Sequence, residues 1–280
     1  MSGINGATTV VGVIGDPISH SLSPVIHNAA FGSAGLNWVM VPLAVQAADG
    51  ASIVDAVRTL GLAGVAVTMP HKQAVARSVD ILDPAAEALE SVNTIVVGEG
   101  GQIVGYSTDG AGFVESLMQA GVDPAERRVV VLGAGAAARS VIDALGRKHC
   151  DSIGVVNRSY DAAVTAARLA PMGTAVEVAD ASGALSTADI VVNATSVGMG
   201  SDESPVPPGV LTSGQTVVDL VYHPLETALL HEARRVGAVA VDGLGMLVHQ
   251  AALQHRLWTG MTADLVSMRE AANAALQQRR

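Results

Sequence analysis

The stretch Val129-Val-Val-Leu132 runs directly into Gly133-Ala-Gly-Ala-Ala-Ala-Arg139, and this passage decides the fold. Four apolar residues followed by glycines predict a buried strand that ends in a tight turn, and the apolar spacing after the turn predicts a helix. Gly133 would allow the turn, Gly135 would let the backbone approach a pyrophosphate, and Ala138 would let the helix pack closely on the strand. The passage therefore predicts a dinucleotide-binding unit, and the alternative is a tight turn that binds nothing.

The next strand, expected at residues 153–156, bears on the choice of dinucleotide. NAD sites usually place a carboxylate at the end of this strand, where it holds the ribose 2′-hydroxyl. Here the strand is followed by Asn157-Arg158-Ser159. An arginine at this place can pair with a 2′-phosphate, with help from the serine hydroxyl, and this favours NADP. NAD stays possible, because Arg158 can also be an ordinary exposed loop arginine and Asp151 and Asp161 lie nearby.

Apolar runs alternate with segments of helical period along the chain, which predicts an α/β fold with parallel strands. Strands are expected at 10–14, 38–45, 65–68, 94–97, 102–106, 129–132, 153–156, 190–193, 217–220 and 238–241. Helices are expected at 24–33, 50–60, 109–120 and in the tail, and a hairpin is expected to join the strands at 94–97 and 102–106. Ser23 is expected to be the N-cap of the first helix, with Pro24 at its first position.

Two domains follow from this pattern. An N-terminal α/β domain is expected at residues 1–108, and the tail from residue 246 onward is expected to return to helix. A Rossmann-like dinucleotide-binding domain is expected at residues 109–245. No low-complexity linker separates them, so the boundary is expected at the helix that starts near Asp109.

Composition excludes several classes of protein. Among the 280 residues, 49% are apolar and 15% are charged, a balance that supports a large core and argues against disorder. The net charge of −10 and the lack of a basic stripe argue against a nucleic-acid partner. No run is long and apolar enough for a membrane span, the single cysteine fits a reducing compartment, and no metal-binding motif is present. We therefore expect a cytoplasmic protein with a small-molecule substrate and no metal.

Polar side chains follow the strands of the first domain. Ser21 and Ser23 can face the same way in an extended segment and bind a carboxylate, although Ser23 could serve only as a cap. Lys72, after a buried strand and a proline turn, can act as a general acid or base, although a lone lysine is usually solvated. Asp109 could position this lysine or only cap a helix, and Asn93 could contact substrate or only form a turn.

Taken together, these residues resemble the shikimate dehydrogenase family, which includes quinate-type enzymes, over essentially the whole chain. The segments that carry the resemblance are Gly15-Asp-Pro-Ile-Ser-His-Ser-Leu-Ser-Pro24, Val67-Thr-Met-Pro-His-Lys72, Ser91-Val-Asn-Thr94, Ser107-Thr-Asp-Gly110, the glycine turn, Asn157-Arg158-Ser159, Asn193-Ala-Thr-Ser-Val-Gly-Met199, Asp219-Leu-Val-Tyr222 and Gly243-Leu-Gly-Met-Leu-Val-His-Gln250.

The resemblance implies reversible, NADP-dependent conversion of 3-dehydroshikimate to shikimate, in the pathway to aromatic amino acids. It implies Lys72 and Asp109 as the catalytic pair. Substrate-binding residues would be Ser21, Ser23, Thr68, Asn93, Tyr222 and Gln250. Cofactor-binding residues would be Gly133, Ala134, Gly135, Ala136, Ala137, Asn157, Arg158, Ser159, Thr195 and Gly243. The resemblance also implies that C-terminal helices at 246–280 pack back on residues 1–108 to complete the substrate-binding catalytic domain, while residues 109–245 form the NADP-binding domain. A monomer or a homodimer fits this family.

This sequence departs from the family pattern at four places. Ala66 stands where the family usually has Asn, and Ser107 where Asn precedes the Thr-Asp pair. Ala136 replaces a glycine of the turn, and Ala162 lies near the place of a second basic residue. The first two changes leave open a related enzyme that oxidises quinate, aminoshikimate or another cyclohexane carboxylate, with NADP or NAD. A non-catalytic sensor of dinucleotides or metabolites is a further alternative from another class.

Overall fold

The computed structural model describes residues 3–278 and contains two compact α/β units. One unit holds the chain up to Thr108 together with the chain from Val248 onward, and the other holds Asp109–Leu247. The division expected from the sequence places the second boundary after residue 245 rather than after Leu247.

The bounds of the elements are as follows. The strands are β1 (Thr9–Gly15), β2 (Trp38–Ala44), β3 (Gly64–Val67), β4 (Ile81–Leu82), β5 (Thr94–Val97), β6 (Ile103–Tyr106), β7 (Arg128–Leu132), β8 (Ser152–Val156), β9 (Gly173–Val176), β10 (Ile190–Asn193), β11 (Thr216–Asp219) and β12 (Val239–Val241). The helices are α1 (Ser23–Ser33), α2 (Ile53–Leu60), α3 (Lys72–Ala76), α4 (Pro84–Leu89), α5 (Asp109–Gln119), α6 (Ala136–Arg147), α7 (Tyr160–Ala167), α8 (Ala181–Thr187), α9 (Ala228–Arg235), α10 (Gly243–Thr259) and α11 (Leu265–Gln277). Short 3₁₀ helices occur at Ala47–Ser52, Glu99–Gly101 and Val178–Asp180.

The first unit is built on a six-stranded sheet in the order β2-β1-β3-β5-β6-β4. β1 pairs in parallel with β2 and β3, whereas β5 pairs antiparallel with β3 and β6. The start of β5 therefore lies beside the end of β3, with Thr94 opposite Ala66. This arrangement brings residues that precede β5 to the same sheet edge as residues that follow β1, β3 and β6.

Helices cover both faces of this first sheet. One face packs its apolar side chains against α2, α3 and α4, and the other packs against α1 and Trp258 of α10. α11 packs on α1, so the C-terminal helices belong to this unit. Gly64 on β3 permits the close approach of α10, because a Cβ there would collide with Trp258 Nε1 and lie 2.8 Å from Ile95 O. The indole N–H instead donates to Ile95 O at 2.9 Å.

The second unit is built on a six-stranded parallel sheet in the order β12-β11-β10-β7-β8-β9. The chain builds outward from β7 in one direction and then from β10 in the other, so the order reverses between these two strands. Alternate residues of β7 belong to two separate cores, Val129 and Val131 to one and Val130 and Leu132 to the other. Helices α5, α6 and α7 pack on the first face, and α8 and α9 on the second. This is the doubly wound, Rossmann-like fold that the glycine turn predicts.

The structure corrects some local expectations. The N-cap of α1 is Leu22, and Ser23 is the first helical residue with no side-chain cap bond, so the prediction of Ser23 as N-cap was wrong. The expected helix at 50–60 is a 3₁₀ turn followed by α2. β4 and β9 were not predicted, because β4 has only two residues and β9 begins with glycine and is only partly buried.

Candidate active site

The glycine turn joins β7 to α6 at the place where the strand order reverses. Gly133 has φ +109, a conformation that side chains with a Cβ rarely adopt, and a Cβ there would lie 2.9 Å from Ala194 O. Its N–H donates to Val156 O at 2.8 Å. The ends of β7, β8 and β10 therefore converge closely at this turn, and only glycine fits at position 133.

The N-terminus of α6 has the properties of a pyrophosphate site. Gly135 is its N-cap and no side chain caps the first turn, so its amide N–H groups are left for a ligand. A Cβ on Gly135 would meet nothing within 4 Å, which means that open space lies over this residue. Ala138 is fully buried against the sheet, as close packing of helix and strand requires. The residues present therefore fit a dinucleotide.

The segment after β8 supplies a cationic group. Asn157 Nδ2 donates to Ser159 O at 3.0 Å, and Ser159 Oγ caps α7 by accepting from Ala162 N at 3.4 Å. These two bonds fix the loop around Arg158, which is exposed and has no ion-pair partner among the described residues. An exposed, unpaired guanidinium on an ordered loop suits a phosphate ligand.

A buried polar cluster lies at the ends of β10 and β11. Asn193 Oδ1 accepts from Thr195 N and Thr195 Oγ1 at 3.0 and 2.7 Å, and its Nδ2 donates to Asp219 Oδ1 at 2.8 Å. Asp219 Oδ2 also accepts from Thr227 Oγ1 at 2.7 Å. Burial raises the pKa of Asp219, although the bonds from Thr227, Val221 N and Asn193 oppose this. The cluster fixes the loop that begins at Ala194, beside Gly133.

Gly243 and Tyr222 follow the last strands of the second unit. Gly243 starts α10, and a Cβ there would lie 2.8 Å from Val221 O, so a larger residue would push the helix away from the end of β11. Tyr222 lies three residues beyond β11 and is half-buried.

In the first unit, the segments after β1 and β3 meet. Thr68 N donates to Ile14 O at 2.9 Å and Asp16 N donates to Met69 O at 3.1 Å, which ties the two strand ends together. Ser23 N donates to Ser21 Oγ at 3.2 Å, so both serines lie at the N-terminus of α1 and are half-buried. Their hydroxyls and the first amides of α1 form a polar group suited to an anion.

Lys72 is the first residue of α3 and is half-buried. Its carbonyl accepts from Val92 N at 3.0 Å, which places it beside the segment that enters β5. The preceding His71 is buried, and its Nε2 lies 2.8 Å from Val45 O. Because a carbonyl can only accept, this nitrogen carries the proton and anchors the start of α3.

Asn93, Thr108 and Gln250 form a buried group at the same sheet edge. Asn93 Oδ1 accepts from Thr108 N at 2.9 Å, and Asn93 Nδ2 donates to Thr108 Oγ1 at 2.9 Å. Thr108 Oγ1 in turn donates to Gln250 O at 3.2 Å, which holds α10 to the end of β6. Asp109 follows directly as the first residue of α5.

Other chemistries find less support. Within residues 3–278, no three His, Cys, Asp or Glu side chains are grouped so that they could hold a metal ion. Cys150 is buried, and burial raises the pKa of its thiol to about 11, so it remains protonated at neutral pH. Among the helices that the structure describes, none is long and apolar enough to cross a membrane.

Comparisons with known proteins point to one family in every matched segment of the chain. Family models match at residues 13–95 (shikimate dehydrogenase substrate binding domain), 116–199 (shikimate/quinate 5-dehydrogenase) and 243–272 (shikimate 5'-dehydrogenase C-terminal domain). A shikimate dehydrogenase (NADP(+)) of Rubrobacter xylanophilus is 45% identical, with 96% of each chain covered. The chain belongs to the shikimate dehydrogenase family.

Solved structures of this family also match closely. The shikimate 5-dehydrogenase of Thermus thermophilus in complex with NADP(H) and shikimate is 35% identical with a TM-score of 0.88, over 96% of this chain and 100% of that chain. The quinate dehydrogenase of Corynebacterium glutamicum in complex with NAD is 30% identical with a TM-score of 0.90, over 95% and 99%. The α/β fold with a Rossmann-like unit, which the sequence predicted, is thereby confirmed.

Within the first unit, the structure brings together some of the residues that the sequence assigned to substrate binding. Hydrogen bonds connect Ser21 to Ser23, and Asn93 through Thr108 to Gln250. Four residues that hydrogen-bond to a candidate or to its neighbour were not singled out as site residues from the sequence. They are Thr108, Asn193, Asp219 and Gln254. Asn193 and Asp219 end their strands as polar residues after apolar runs, and that was the available signal.

Proposed function

We propose that this chain interconverts 3-dehydroshikimate and shikimate by NADP-dependent hydride transfer. Its near full-length identity of 45% to an NADP-dependent shikimate dehydrogenase carries this conclusion. The polar groups of the first unit and the glycine turn of the second supply the two binding functions that the reaction needs. We assign substrate binding to the first unit and cofactor binding to the second.

The first unit binds and orients the substrate. Ser21 and Ser23 hold its carboxylate at the N-terminus of α1, where N–H groups and hydroxyls favour an anion. Thr68, Asn93 and Gln250 bind ring hydroxyls. Tyr222, which belongs to the second unit, is the one further residue that we assign to substrate binding. These groups are neutral, so they orient the ring without changing charge during the reaction.

The second unit holds NADP through the turn of Gly133, Ala134, Gly135, Ala136 and Ala137. Asn157, Arg158 and Ser159 hold the adenosine phosphate, and Thr195 and Gly243 border the cofactor.

NADPH, when bound, supplies the hydride that reduces the ring ketone. Lys72 donates a proton to the oxygen that becomes negative, and Asp109 is the partner that positions its ammonium group.

The test is a lysine variant with a matched control. Lys72→Ala should lower kcat for shikimate oxidation by at least about 100-fold, because a positioned general acid contributes a factor of this order. The affinity for NADP, measured by calorimetry, should remain unchanged. Lys148→Ala, at the exposed C-cap of α6 and the only other lysine in the sequence, should behave as wild type. A wild-type rate for Lys72→Ala would refute the assigned role.

A related substrate is the second candidate. Ala66 is buried in the core of the first unit, so it offers no polar group where the family usually has Asn. Quinate, aminoshikimate or another cyclohexane carboxylate, with NADP or NAD, would suit a site altered in this way. Initial rates with each acid and both cofactors decide between the candidates, and a kcat/KM dominated by shikimate with NADP excludes the second.

For its setting we propose the cytoplasm and a monomer or homodimer. A single buried cysteine needs no oxidising compartment. Sedimentation velocity at micromolar concentration distinguishes the two assemblies, and cell fractionation tests the location.

A further inference from the structure

A chain of buried polar side chains runs from α1 through α10 to Asn93, within the first unit. Its members, none more than 5% exposed, are His27, Gln254, Thr94, Asn93 and Thr108. Gln254 lies one helical turn beyond Gln250 on α10. Gln254 Oε1 is 3.1 Å from His27 Nε2, and Gln254 Nε2 donates to Thr94 Oγ1 at 3.0 Å. Thr94 Oγ1 then donates to Asn93 Oδ1 at 2.7 Å.

Backbone groups fix the direction of every bond in this chain. Thr108 N–H can only donate, so the group that faces it at 2.9 Å must be the oxygen of Asn93. At the other end, Asn93 O can only accept, so the group of Gln254 that lies 3.4 Å from it must be the amide nitrogen. Gln254 Oε1 then faces His27, whose Nε2 must carry the proton. From His27 to Asn93 the side-chain bonds therefore all run in one direction, an arrangement in which each bond polarises the next.

These hydrogen bonds determine which groups of Asn93 can bond to a ligand. A carbonyl oxygen has two lone pairs, and those of Asn93 Oδ1 are taken by Thr94 Oγ1 and Thr108 N. Toward a substrate Asn93 can therefore only donate, through Nδ2, to an oxygen that accepts. If Thr94 were not held by Gln254, its hydroxyl would be free to turn, and the amide of Asn93 would lose one of the bonds that fix it.

We propose that Gln254 is a positioning residue for substrate binding, which acts through Thr94 to keep the Asn93 amide turned so that it donates to a substrate oxygen. The inference rests on the proposed function, in which Asn93 contacts the substrate. Gln254 itself touches neither substrate nor cofactor in this assignment.

The test compares two buried glutamines. Gln254→Met keeps the volume of the side chain and removes its hydrogen bonds. Gln215→Met is the matched control, because Gln215 is 3% exposed, donates to Leu185 O and Ala188 O, and precedes β11 at the amino end of that strand. Both variants should lose stability. Only Gln254→Met should raise KM for shikimate, by about 3- to 10-fold, the factor expected for one misplaced hydrogen bond. Its kcat should change less than its KM, and KM for NADP should stay at the wild-type value.

A second pair of variants keeps the inference testable if Gln254→Met does not fold. Thr94→Val removes the hydroxyl that links Gln254 to Asn93 and should raise KM for shikimate by the same factor. Thr94→Ser keeps a hydroxyl and should leave KM for shikimate at the wild-type value. In the double variant the two effects should not multiply, because both break one chain.

The outcomes separate this inference from the proposed function. If wild-type protein turns over shikimate and Gln254→Met and Thr94→Val leave KM unchanged, or if their effects multiply in the double variant, the positioning role is wrong. If wild-type protein does not turn over shikimate with either cofactor, the proposed function is wrong, and the positioning role of Gln254, which rests on it, is wrong as well.

Discussion

Two buried asparagines show how single side chains organise the site residues in each unit. Asn93 uses its oxygen to accept from Thr108 N, and Asn193 uses its oxygen to accept from Thr195 N. In both places a side-chain amide bonds the backbone of a loop that carries candidate site residues. Because both asparagines are almost completely buried, replacing either would leave a backbone N–H without an acceptor, away from water.

Arg158 is expected to select NADP over NAD. Arg158→Gln should raise KM for NADP by about 10- to 100-fold, since a hydrogen bond to a charged group contributes roughly 1.5–3 kcal/mol. KM for NAD, which lacks the 2′-phosphate, should hardly change. The measurement is the ratio of kcat/KM for the two cofactors at saturating shikimate.

Arg168→Gln is the control for this prediction. Arg168 is also exposed and lies at the opposite end of α7, where it should leave both KM values as they are. An equal rise of KM for NADP and NAD in Arg158→Gln would mean that the guanidinium does not recognise the phosphate.

His27 is expected to make the first unit sensitive to acid. Burial lowers the pKa of His27 from 6.5 to about 3, against the opposing bond to Gln254. Below pH 6.5 the unfolded chain takes up a proton on this residue while the folded chain does not, so stability falls with falling pH. Between pH 6.5 and 5 the loss should be about 2 kcal/mol in the free energy of unfolding.

Urea unfolding followed by tryptophan fluorescence measures this loss. The signal reports on the first unit, because both tryptophans, Trp38 and Trp258, belong to it. His27→Gln should reduce the dependence on pH and leave the part that comes from His255, because burial lowers the pKa of that histidine as well. His20→Gln, at an exposed position of the same unit, should preserve the whole dependence. A dependence that His27→Gln leaves unreduced would assign the effect to another group.

At the scale of elements, the contact of β3 with α10 depends on Gly64. Gly64→Ala should destabilise the first unit by about 1–3 kcal/mol, because the new methyl group overlaps the indole of Trp258 and crowds Ile95 O. Gly32→Ala, in α1 with nothing within 4 Å of its Cβ, should be neutral or stabilise by up to about 1 kcal/mol. Urea unfolding followed by tryptophan fluorescence compares them, and similar shifts in both variants would contradict the steric argument.

The elements that could be predicted are those whose signal is local. β7, the glycine turn and α6 follow from one run of apolar residues and two glycines, and the hairpin of β5 and β6 follows from its glycine-rich turn. β4 escaped prediction because its two residues form a strand only by pairing with β6, which is a tertiary effect. Ser23 looked like a cap by residue type, but the helix begins one residue earlier, so its hydroxyl is not at the capping position.

The sequence could assign candidate site residues where chemistry and position coincide in a short motif, as at Lys72 and Arg158. It could not identify residues that hold such candidates through long-range hydrogen bonds. Gln254 appears from the sequence as one more position on an apolar helix, and only the folded chain shows that it bonds Thr94, 160 residues earlier. Polar bonds over such separations leave no pattern in a single sequence.

At the scale of the whole molecule, the second unit has cores of its own. Every residue of its two apolar clusters lies between Asp109 and Leu247. A fragment of residues 109–247 should therefore fold alone and bind NADP, as measured by circular dichroism melting and calorimetry. A fragment of residues 1–108 should not fold, because it lacks Trp258 and the partner of α1. A molten 109–247 fragment would show that its clusters do not suffice.

The first unit is made from two pieces of chain separated by the whole of the second. During synthesis on the ribosome, β1 to β6 emerge first, yet the contacts of Gly64 and Ile95 with Trp258 form only after Trp258 is translated, 163 residues after Ile95. The second unit is complete before that indole leaves the exit tunnel. We therefore expect the nascent protein to complete the unit proposed to bind the cofactor before the unit proposed to bind the substrate. A message truncated before codon 248 should yield a protein that holds the cofactor but lacks a complete substrate-binding unit.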